Sequence, residues 1–465
     1  MDDKNSKYVY FIGIGGIGMS AIARHFNLLN AHVAGYDRTP SDITRALESE
    51  GVAVSYSDDP ETIPVAFRDP SQTLVVLTPA IPADSAIWAF FRNGGFRIVK
   101  RSVALGELTQ PFKTYCVAGT HGKTTTSTLA AHILRHSDVG CSAFLGGISV
   151  NYDTNYWADT NSEAVVTEAD EFDRSFLQLQ PQAAVITAMD ADHLDIYGTH
   201  AEVIKAFLDF AARVRPGGSL IIKKGLPVGR EDVAEGVKIF SYAMLDPLAD
   251  FYATNVRLID SRYVFDIQTP FGPISNVRLG VPALHNVENC VAAAALALTA
   301  GASPLAVTQA CETFRGDKRR FELILERPDA VVVDDYAHHP QEIQTAIRSA
   351  RDLYPGRKIT VAFQPHLYTR TRDLADDFAQ ALSLADRVWL IPIYPAREEP
   401  IPGVSSEMLI GKMKEGVGRL SSKEDLADNI VSEDFDVVVV MGAGNIADLV
   451  PSVAYMVQCS LNAKQ

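Results

Sequence analysis

Apolar residues fall along this chain in two alternating patterns. Short runs rich in β-branched and aromatic residues, bounded by glycine or polar positions, alternate with longer stretches in which apolar residues recur every three or four places. In the first ~108 residues the runs Tyr8–Ile12, Val33–Tyr36, Leu74–Thr78 and Phe96–Val99 read as strands, Gly13–Gly18 as a glycine turn and Met19–Leu29 as a helix. Strand, turn, helix and strand in that order predict a parallel sheet.

A second unit opens with a strand at Tyr115–Ala118, a loop at Gly119–Lys123 and a helix from Thr124 to about Arg135. Further strands are expected at Ala164–Thr167, Ala183–Thr187 and Ser219–Ile222, and the alternating Tyr252–Leu258 and Tyr263–Gln268 predict an added antiparallel ribbon. An alanine-rich buried helix, Val291–Ala300, follows "HNVEN", and "FRGDKRRFE" (Phe314–Glu322) reads as a basic connector. Beyond it the apolar runs Val331–Val333, Ile359–Phe363, Val388–Ile391 and Val437–Met441 describe a third α/β unit. The expectation is an α/β chain of three doubly wound domains, 1–108, 109–322 and 323–465.

Bulk properties narrow this picture. A length of 465 residues exceeds what one core usually fills, and 47% apolar with 21% charged residues is ordinary for a globular protein. No stretch approaches the ~18 consecutive apolar residues of a membrane span, so no membrane insertion is expected. The start, MDDKNSKYVYFIGIGG, runs into a strand and glycine turn and not into a signal peptide, which predicts a cytoplasmic protein. Cys116, Cys141, Cys290, Cys311 and Cys459 form no C-x-x-C motif, and we expect all five to be structural or incidental in a reducing compartment. A net charge of −15 without a basic run excludes a nucleic-acid partner. Monomer and homodimer both stay open.

The glycine turns carry the candidate chemistry. Gly13, Gly15, Gly16 and Gly18 lie between a strand and a helix, and Asp37 ends the second strand. That arrangement lets backbone N–H groups and a helix N-terminus meet a diphosphate, whether of NAD(P) or of a nucleotide sugar. "VAGTHGKTTT" is a Walker-like loop lacking one glycine, with Val117 in its place and Gly119 available to relax the turn. Gly122 permits close approach, Lys123 supplies an ammonium for β- and γ-phosphates, and Thr124 or Thr125 offers a hydroxyl to Mg²⁺. Hard ligands follow at strand ends: Glu168 after Ala164–Thr167, and Asp192, His193 and Asp195 of "DADHLD" after Ala183–Thr187.

The set GTHGKTTT, EADEFD, DHLDIYG, HNVEN, DKRRFE, DDYAHHP and FQPHLYTRT, in order over essentially the whole chain, resembles the Mur ligase family and its alanine-adding branch. That resemblance implies three domains: an N-terminal Rossmann-like unit binding UDP, a central P-loop-type ATPase, and a C-terminal Rossmann-like unit that closes over the nucleotide. It implies that Gly13, Gly15, Gly16, Gly18 and Asp37 receive the UDP-sugar. Gly119, Thr120, His121, Gly122, Lys123, Thr124 and Thr125 would hold ATP, with Thr124, Glu168 and His193 around Mg²⁺. His285 and Asn289 would meet adenine, Arg320 the phosphates and Asp335 the ribose, while His338, His366 and Arg370 would surround the amino acid. The implied reaction, with Lys123, Glu168, His193 and Arg370 as catalytic residues, joins L-alanine to the lactyl carboxylate of UDP-N-acetylmuramate through an acyl phosphate.

Two departures accompany the resemblance. The branch often has Arg where this chain has Leu367, and other Mur ligases carry a carbamylated Lys where Phe207 stands, an absence typical of the alanine-adding branch. The alternative is a relative that recycles a tripeptide onto the same nucleotide sugar; its segment near "EPRSNT" differs from Phe363–Thr371 here. A nucleotide-gated binding protein and an NAD(P) dehydrogenase are further alternatives, separated by ADP release and by nicotinamide binding.

Overall fold

A computed structural model describes residues 7–79, 81–396 and 398–463. These residues divide into two compact units, one lying within 1–256, 264–280 and 287–315, the other within 257–263, 281–286 and 316–465. The described residues form three sheets.

The first sheet, in the first unit, has five strands in the order β3-β2-β1-β4-β5. They are β1 (Tyr8–Ile12), β2 (His32–Tyr36), β3 (Ala53–Ser55), β4 (Thr73–Leu77) and β5 (Arg97–Lys100), all parallel, with α1 (Ile17–Leu28), α2 (Asp42–Ser49), α3 (Ala86–Asn93) and α4 (Arg101–Thr109) as connections or flanks. β1 is central and buried over Val9–Ile12, as its unbroken apolar run requires of a strand covered on both faces.

The second sheet has ten strands in the order β15-β14-β13-β12-β11-β10-β6-β9-β7-β8. Its strands are β6 (Lys113–Ala118), β7 (Ser142–Ser149), β8 (Thr154–Trp157), β9 (Ala164–Glu168), β10 (Ala183–Ile186), β11 (Ser219–Lys223), β12 (Lys238–Ala243), β13 (Phe251–Ile259), β14 (Arg262–Gln268) and β15 (Ile274–Arg278). The accompanying helices are α5 (Lys123–Arg135), α6 (Leu194–Tyr197), α7 (His200–Ala211), α8 (His285–Ala300) and α9 (Pro304–Thr313). β6 lies between β9 and β10, parallel to both, with Val117 opposite Glu168 and Ala118 opposite Ile186. The loops leaving these three strands therefore emerge at one edge. The two strands expected as a ribbon, β13 and β14, are neighbours in this sheet, and β14 pairs antiparallel with β15. One expectation needs correction: α8 begins at His285 and not at Val291, so HNVEN is its first turn.

The second unit carries a six-stranded sheet in the order β16-β17-β21-β18-β19-β20. Here β16 (Glu322–Glu326) is an antiparallel edge, and β17 (Val331–Asp335), β18 (Ile359–Phe363), β19 (Arg387–Leu390), β20 (Gly418–Leu420) and β21 (Val437–Met441) are parallel. Its helices are α10 (Pro340–Leu353), α11 (Tyr368–Asp373), α12 (Ala375–Leu382), α13 (Ser406–Lys412), α14 (Leu426–Val431) and α15 (Val450–Ala463). The supposed connector FRGDKRRFE thus ends inside strand β16, whose Leu323 and Leu325 pair with β17. The buried sulfurs of Cys290 and Cys311 lie 3.3 Å apart between α8 and α9. No helix among the described residues is long and apolar enough to cross a membrane.

Candidate active site

In the first unit, the glycine turn after β1 is built from backbone. Gly13 has φ +85° and its missing Cβ would lie 2.4 Å from Thr78 Cγ2, so only glycine fits. Gly15 N–H donates to Asp37 Oδ2 at 2.7 Å, and Gly16 N–H to Gly13 O at 3.3 Å. Asp37 therefore braces the turn from the end of β2. Gly16 is the N-cap of α1 and carries no side-chain cap, leaving the helix's first N–H groups to a ligand or water.

The second loop leaves β6. Gly119 (φ +133°) and Gly122 (φ +77°) both adopt conformations that favour glycine, and a Cβ on Gly119 would meet Thr187 Oγ1 at 2.0 Å. Gly119 thus supplies the turn without the glycine missing at Val117. Thr120 N–H donates to Ala188 O at 3.2 Å, Asp190 N–H to Thr120 Oγ1 at 3.1 Å, and Thr187 Oγ1 to His121 O, so the loop is sewn to the end of β10. His121 itself is exposed, with Nε2 3.5 Å from Asp190. Gly122 caps α5, and a Cβ there would meet Asn289 Oδ1 of α8 at 2.7 Å. Thr124 and Thr125 lie half-buried in the first turn of α5.

Lys123 has an unexpected partner. Its ammonium donates to Gly119 O at 2.7 Å and to Glu171 Oε1 at 2.9 Å, with Glu171 Oε2 also at 2.9 Å. The Glu171 side chain is 1% exposed and that of Lys123 15%. Burial opposes the ammonium's charge, but Glu171, Glu168 and Asp170 outweigh it and hold the Lys123 pKa above its ordinary value. Sequence reasoning passed over Glu171, although it stands in the same EADEFD segment as Glu168. Tyr197 Oη donates to its carbonyl at 2.5 Å and fixes it from α6.

Glu171, Asp192 and His193 bring ligand atoms within 4.8 Å of one another, with His193 Nε2 3.9 Å from both carboxylates. Glu168 ends β9 and packs where a side chain on Gly146 would stand, its Oε2 2.0 Å from that missing Cβ. Carboxylates, a threonine hydroxyl and one imidazole beside a phosphate loop fit Mg²⁺, which takes few protein ligands and keeps oxygens of substrate and water. The side chain of Asp195 lies outside the described residues.

His285 is exposed at the first position of α8 and Asn289 follows one turn later. In the second unit, Asp335 ends β17 and spends both oxygens on backbone: Oδ1 accepts from Ala337 N–H at 2.7 Å and Oδ2 from Phe321 N–H at 2.8 Å. Burial pushes its pKa up to about 6 against those bonds and the pull of Arg320. Arg320 is exposed, its guanidinium 5.6 Å from the Tyr336 ring, whereas Arg319 turns inward to Gly442 O and to Asp334 at 3.4 Å.

His338, His366 and Arg370 gather on the same unit. His338 Nδ1 lies 2.9 Å from Tyr336 O, and its ring centre is 6.2 Å from that of His366. His366 stacks on Tyr394 at 5.5 Å, and burial, then Arg370 and His338, lower its pKa to about 4. The imidazole is neutral at pH 7. His366 Nδ1 and Arg370 Nη1 are buried without a hydrogen-bond partner in the structure. Polar atoms left so are costly unless a ligand takes them. Leu367, between them, adopts φ +72°, a conformation rare for a branched side chain.

Sequence models of three domains match in chain order: the Mur ligase family catalytic domain over residues 8–113, the Mur ligase middle domain over 117–297, and the Mur ligase glutamate ligase domain over 319–444. The chain is 48% identical over 454 residues to UDP-N-acetylmuramate–L-alanine ligase of Phocaeicola vulgatus, covering 97% of this chain and 98% of that one. To the protein of the same name from Parabacteroides distasonis it is 49% identical over 453 residues, at 97% and 98% coverage. The crystal structure of UDP-N-acetylmuramate–alanine ligase from Thermotoga maritima superposes with a TM-score of 0.82 at 26% identity, covering 97% of this chain and 99% of that one. A murein peptide ligase from Psychrobacter arcticus shares the fold, with a TM-score of 0.68 at 23% identity and coverage of 97% and 98%.

Proposed function

The chain belongs to the Mur ligase family, and from that premise we infer that it joins L-alanine to the lactyl carboxylate of UDP-N-acetylmuramate, using ATP, in peptidoglycan precursor synthesis. It is an ATP-dependent carbon–nitrogen ligase. The observation that carries the reading is the near-full-length similarity to relatives bearing that name, at 48% and 49% identity.

In this reading the γ-phosphoryl group passes from ATP to a carboxylate oxygen, giving an acyl phosphate and ADP. The alanine amine attacks the acyl carbon, and the tetrahedral intermediate expels phosphate to leave the amide. Lys123 and the N–H groups of the Gly119–Thr125 loop would bear the charge that spreads over the phosphoryl oxygens, in a step that needs positioning more than covalent help. Thr124, Glu168 and His193, with Glu171 and Asp192 adjoining, would hold Mg²⁺, which supplies charge neutralisation at those oxygens. His285 and Asn289 would flank adenine, and Arg320 would reach the phosphates. Asp335 would meet the ribose through its loop, because its carboxylate already accepts two backbone N–H groups. Gly13, Gly15, Gly16 and Gly18, braced by Asp37, would take the UDP diphosphate. Arg370 would fork onto the alanine carboxylate, with neutral His366 and His338 beside it. We place the domain limits at residues 108 and 322 and the protein in the cytoplasm.

The test is ADP release against a panel of amino acids with UDP-N-acetylmuramate present. Release should require both substrates, with L-alanine preferred, glycine poorer, serine tolerated and D-alanine inactive, since one methyl is worth only ~1–3 kcal/mol. Preference for an L-Ala-γ-D-Glu-diamino-acid tripeptide would assign the chain to the recycling activity instead.

A further inference from the structure

Helix α11 starts without a cap from its own sequence. Its N-cap residue is Leu367, whose side chain offers no acceptor to the helix's free N–H groups and whose backbone, at φ +72° and ψ 134°, is strained for a branched residue. The turn is nonetheless pinned on both sides. Leu367 N–H donates to Tyr394 O at 2.9 Å, while Leu367 O accepts from Thr371 N–H at 3.1 Å and from Thr371 Oγ1 at 2.7 Å. Tyr394 N–H donates back to Pro365 O at 2.8 Å, and the Tyr394 ring stacks on His366.

The missing cap comes from Glu398, 29 positions beyond Thr369. Its Oε2 accepts Thr369 N–H at 2.9 Å and its Oε1 accepts the Thr369 hydroxyl. That hydroxyl, then the N–H groups of Thr369 and Tyr368, hold the Glu398 carboxyl below its ordinary value, so it is ionised at pH 7. Glu398 N–H donates to Pro395 O at 2.9 Å, which ties the acid to the segment that carries Tyr394. Both carboxylate oxygens are taken by Thr369, whereas Arg370 Nη1, one residue further on, and His366 Nδ1, just before the turn, stay buried without a hydrogen-bond partner. The acid orders the segment that carries both nitrogens without occupying either.

We propose that Glu398 is a positioning residue for the amino-acid site, fixing the start of α11 through Thr369 and thereby the placement of Arg370 and His366 against the alanine carboxylate. This rests on the reading of Arg370 as the carboxylate fork. Initial rates against L-alanine, ATP and UDP-N-acetylmuramate in wild type, Glu398→Ala, Glu398→Gln, Glu398→Asp and Arg370→Lys test it, with thermal melts alongside. Glu398→Ala should raise KM for L-alanine at least ~10-fold and leave the other two KM values within ~3-fold, since a displacement of about 1 Å suffices for such a loss. Glu398→Gln should keep KM for L-alanine within ~3-fold of wild type, because its amide oxygen can accept Thr369 N–H while its NH₂ donates to the hydroxyl oxygen. A lower melting temperature with KM for L-alanine unchanged, or a parallel rise in all three KM values, makes Glu398 a structural cap alone and overturns the proposal. So does a Glu398→Gln as impaired as Glu398→Ala, which would assign the effect to charge. If Glu398→Ala does not fold, Glu398→Asp decides, its side chain being one methylene too short for both donors: a selective rise in KM for L-alanine supports the proposal, and no change overturns it. If Arg370→Lys also leaves KM for L-alanine unchanged, the amino-acid reading of α11 fails, and the proposal with it.

Discussion

Replacing Lys123 should cost stability as well as turnover, and the two effects can be separated. The ammonium is the partner of a Glu171 carboxylate only 1% exposed, at 2.9 Å from both oxygens. Lys123→Met leaves that charge buried and unpaired, which typically costs about 3–5 kcal/mol. At ~2–4 °C per kcal/mol for a domain of this size, the melting temperature should fall by roughly 6–20 °C. Glu171→Leu should be similarly costly, whereas the double variant, an apolar pair of comparable volume, should recover to within ~1 kcal/mol of wild type. Scanning calorimetry without nucleotide at pH 7 measures the cycle, and initial rates accompany it. All three variants should lose at least ~10²-fold in kcat, the scale of a removed transition-state charge partner. Additive losses in the double variant would refute the buried pair, and a stable, active double variant would refute the role given to Lys123.

Glu168→Gln and His193→Ala should each raise the magnesium concentration giving half-maximal rate, and an unchanged titration in both would remove them from the metal site. Arg370→Lys should raise KM for alanine at least ~10-fold while leaving KM for ATP within ~3-fold; equal changes in both would argue against a carboxylate fork. Gly119→Ala, whose Cβ would meet Thr187 Oγ1 at 2.0 Å with φ at +133°, should lose nucleotide affinity and several degrees of melting temperature, as thermal melts with and without ATP would report. Burial, then neighbouring His136, lowers the His132 pKa to about 3 in the fold, so its neutral form stabilises above pH 6.5 and that stability is lost as pH falls toward 3. His132→Gln should flatten the decline in unfolding free energy between pH 6.5 and 4, by up to about 3 kcal/mol, as denaturant melts across that range would report, and an unchanged slope would contradict this.

Strands buried on both faces were legible almost to the residue, because Tyr8–Ile12 and Val437–Met441 are unbroken apolar runs and Ile359–Phe363 is interrupted by Thr360 alone. Strands with a mixed signal were not. β7 carries Gly146 and Gly147 inside it, and β16, ELILE, hides behind a basic stretch and pairs only along a sheet edge. The start of α8 was placed late because its first turn is polar, HNVEN, although polar side chains suit a helix N-terminus. In the site, the phosphate loop and the acidic strand ends were readable from local spacing. Glu171 was not, since its burial depends on a lysine 48 positions away, and no window of sequence contains both.

That separation also has a kinetic side. The loop after β6 takes its shape from β9 and β10 on either side, with Thr187 reaching Ala118 O across 69 positions. Helix α5 can form within microseconds from local contacts, but the neighbouring strands must close long chain loops before the cradle in front of it exists. During synthesis Lys123 leaves the ribosome well before its partner. Affinity for nucleotide is therefore a late-arriving property in refolding, and its return marks the assembly of the central sheet, trailing the recovery of helix signal.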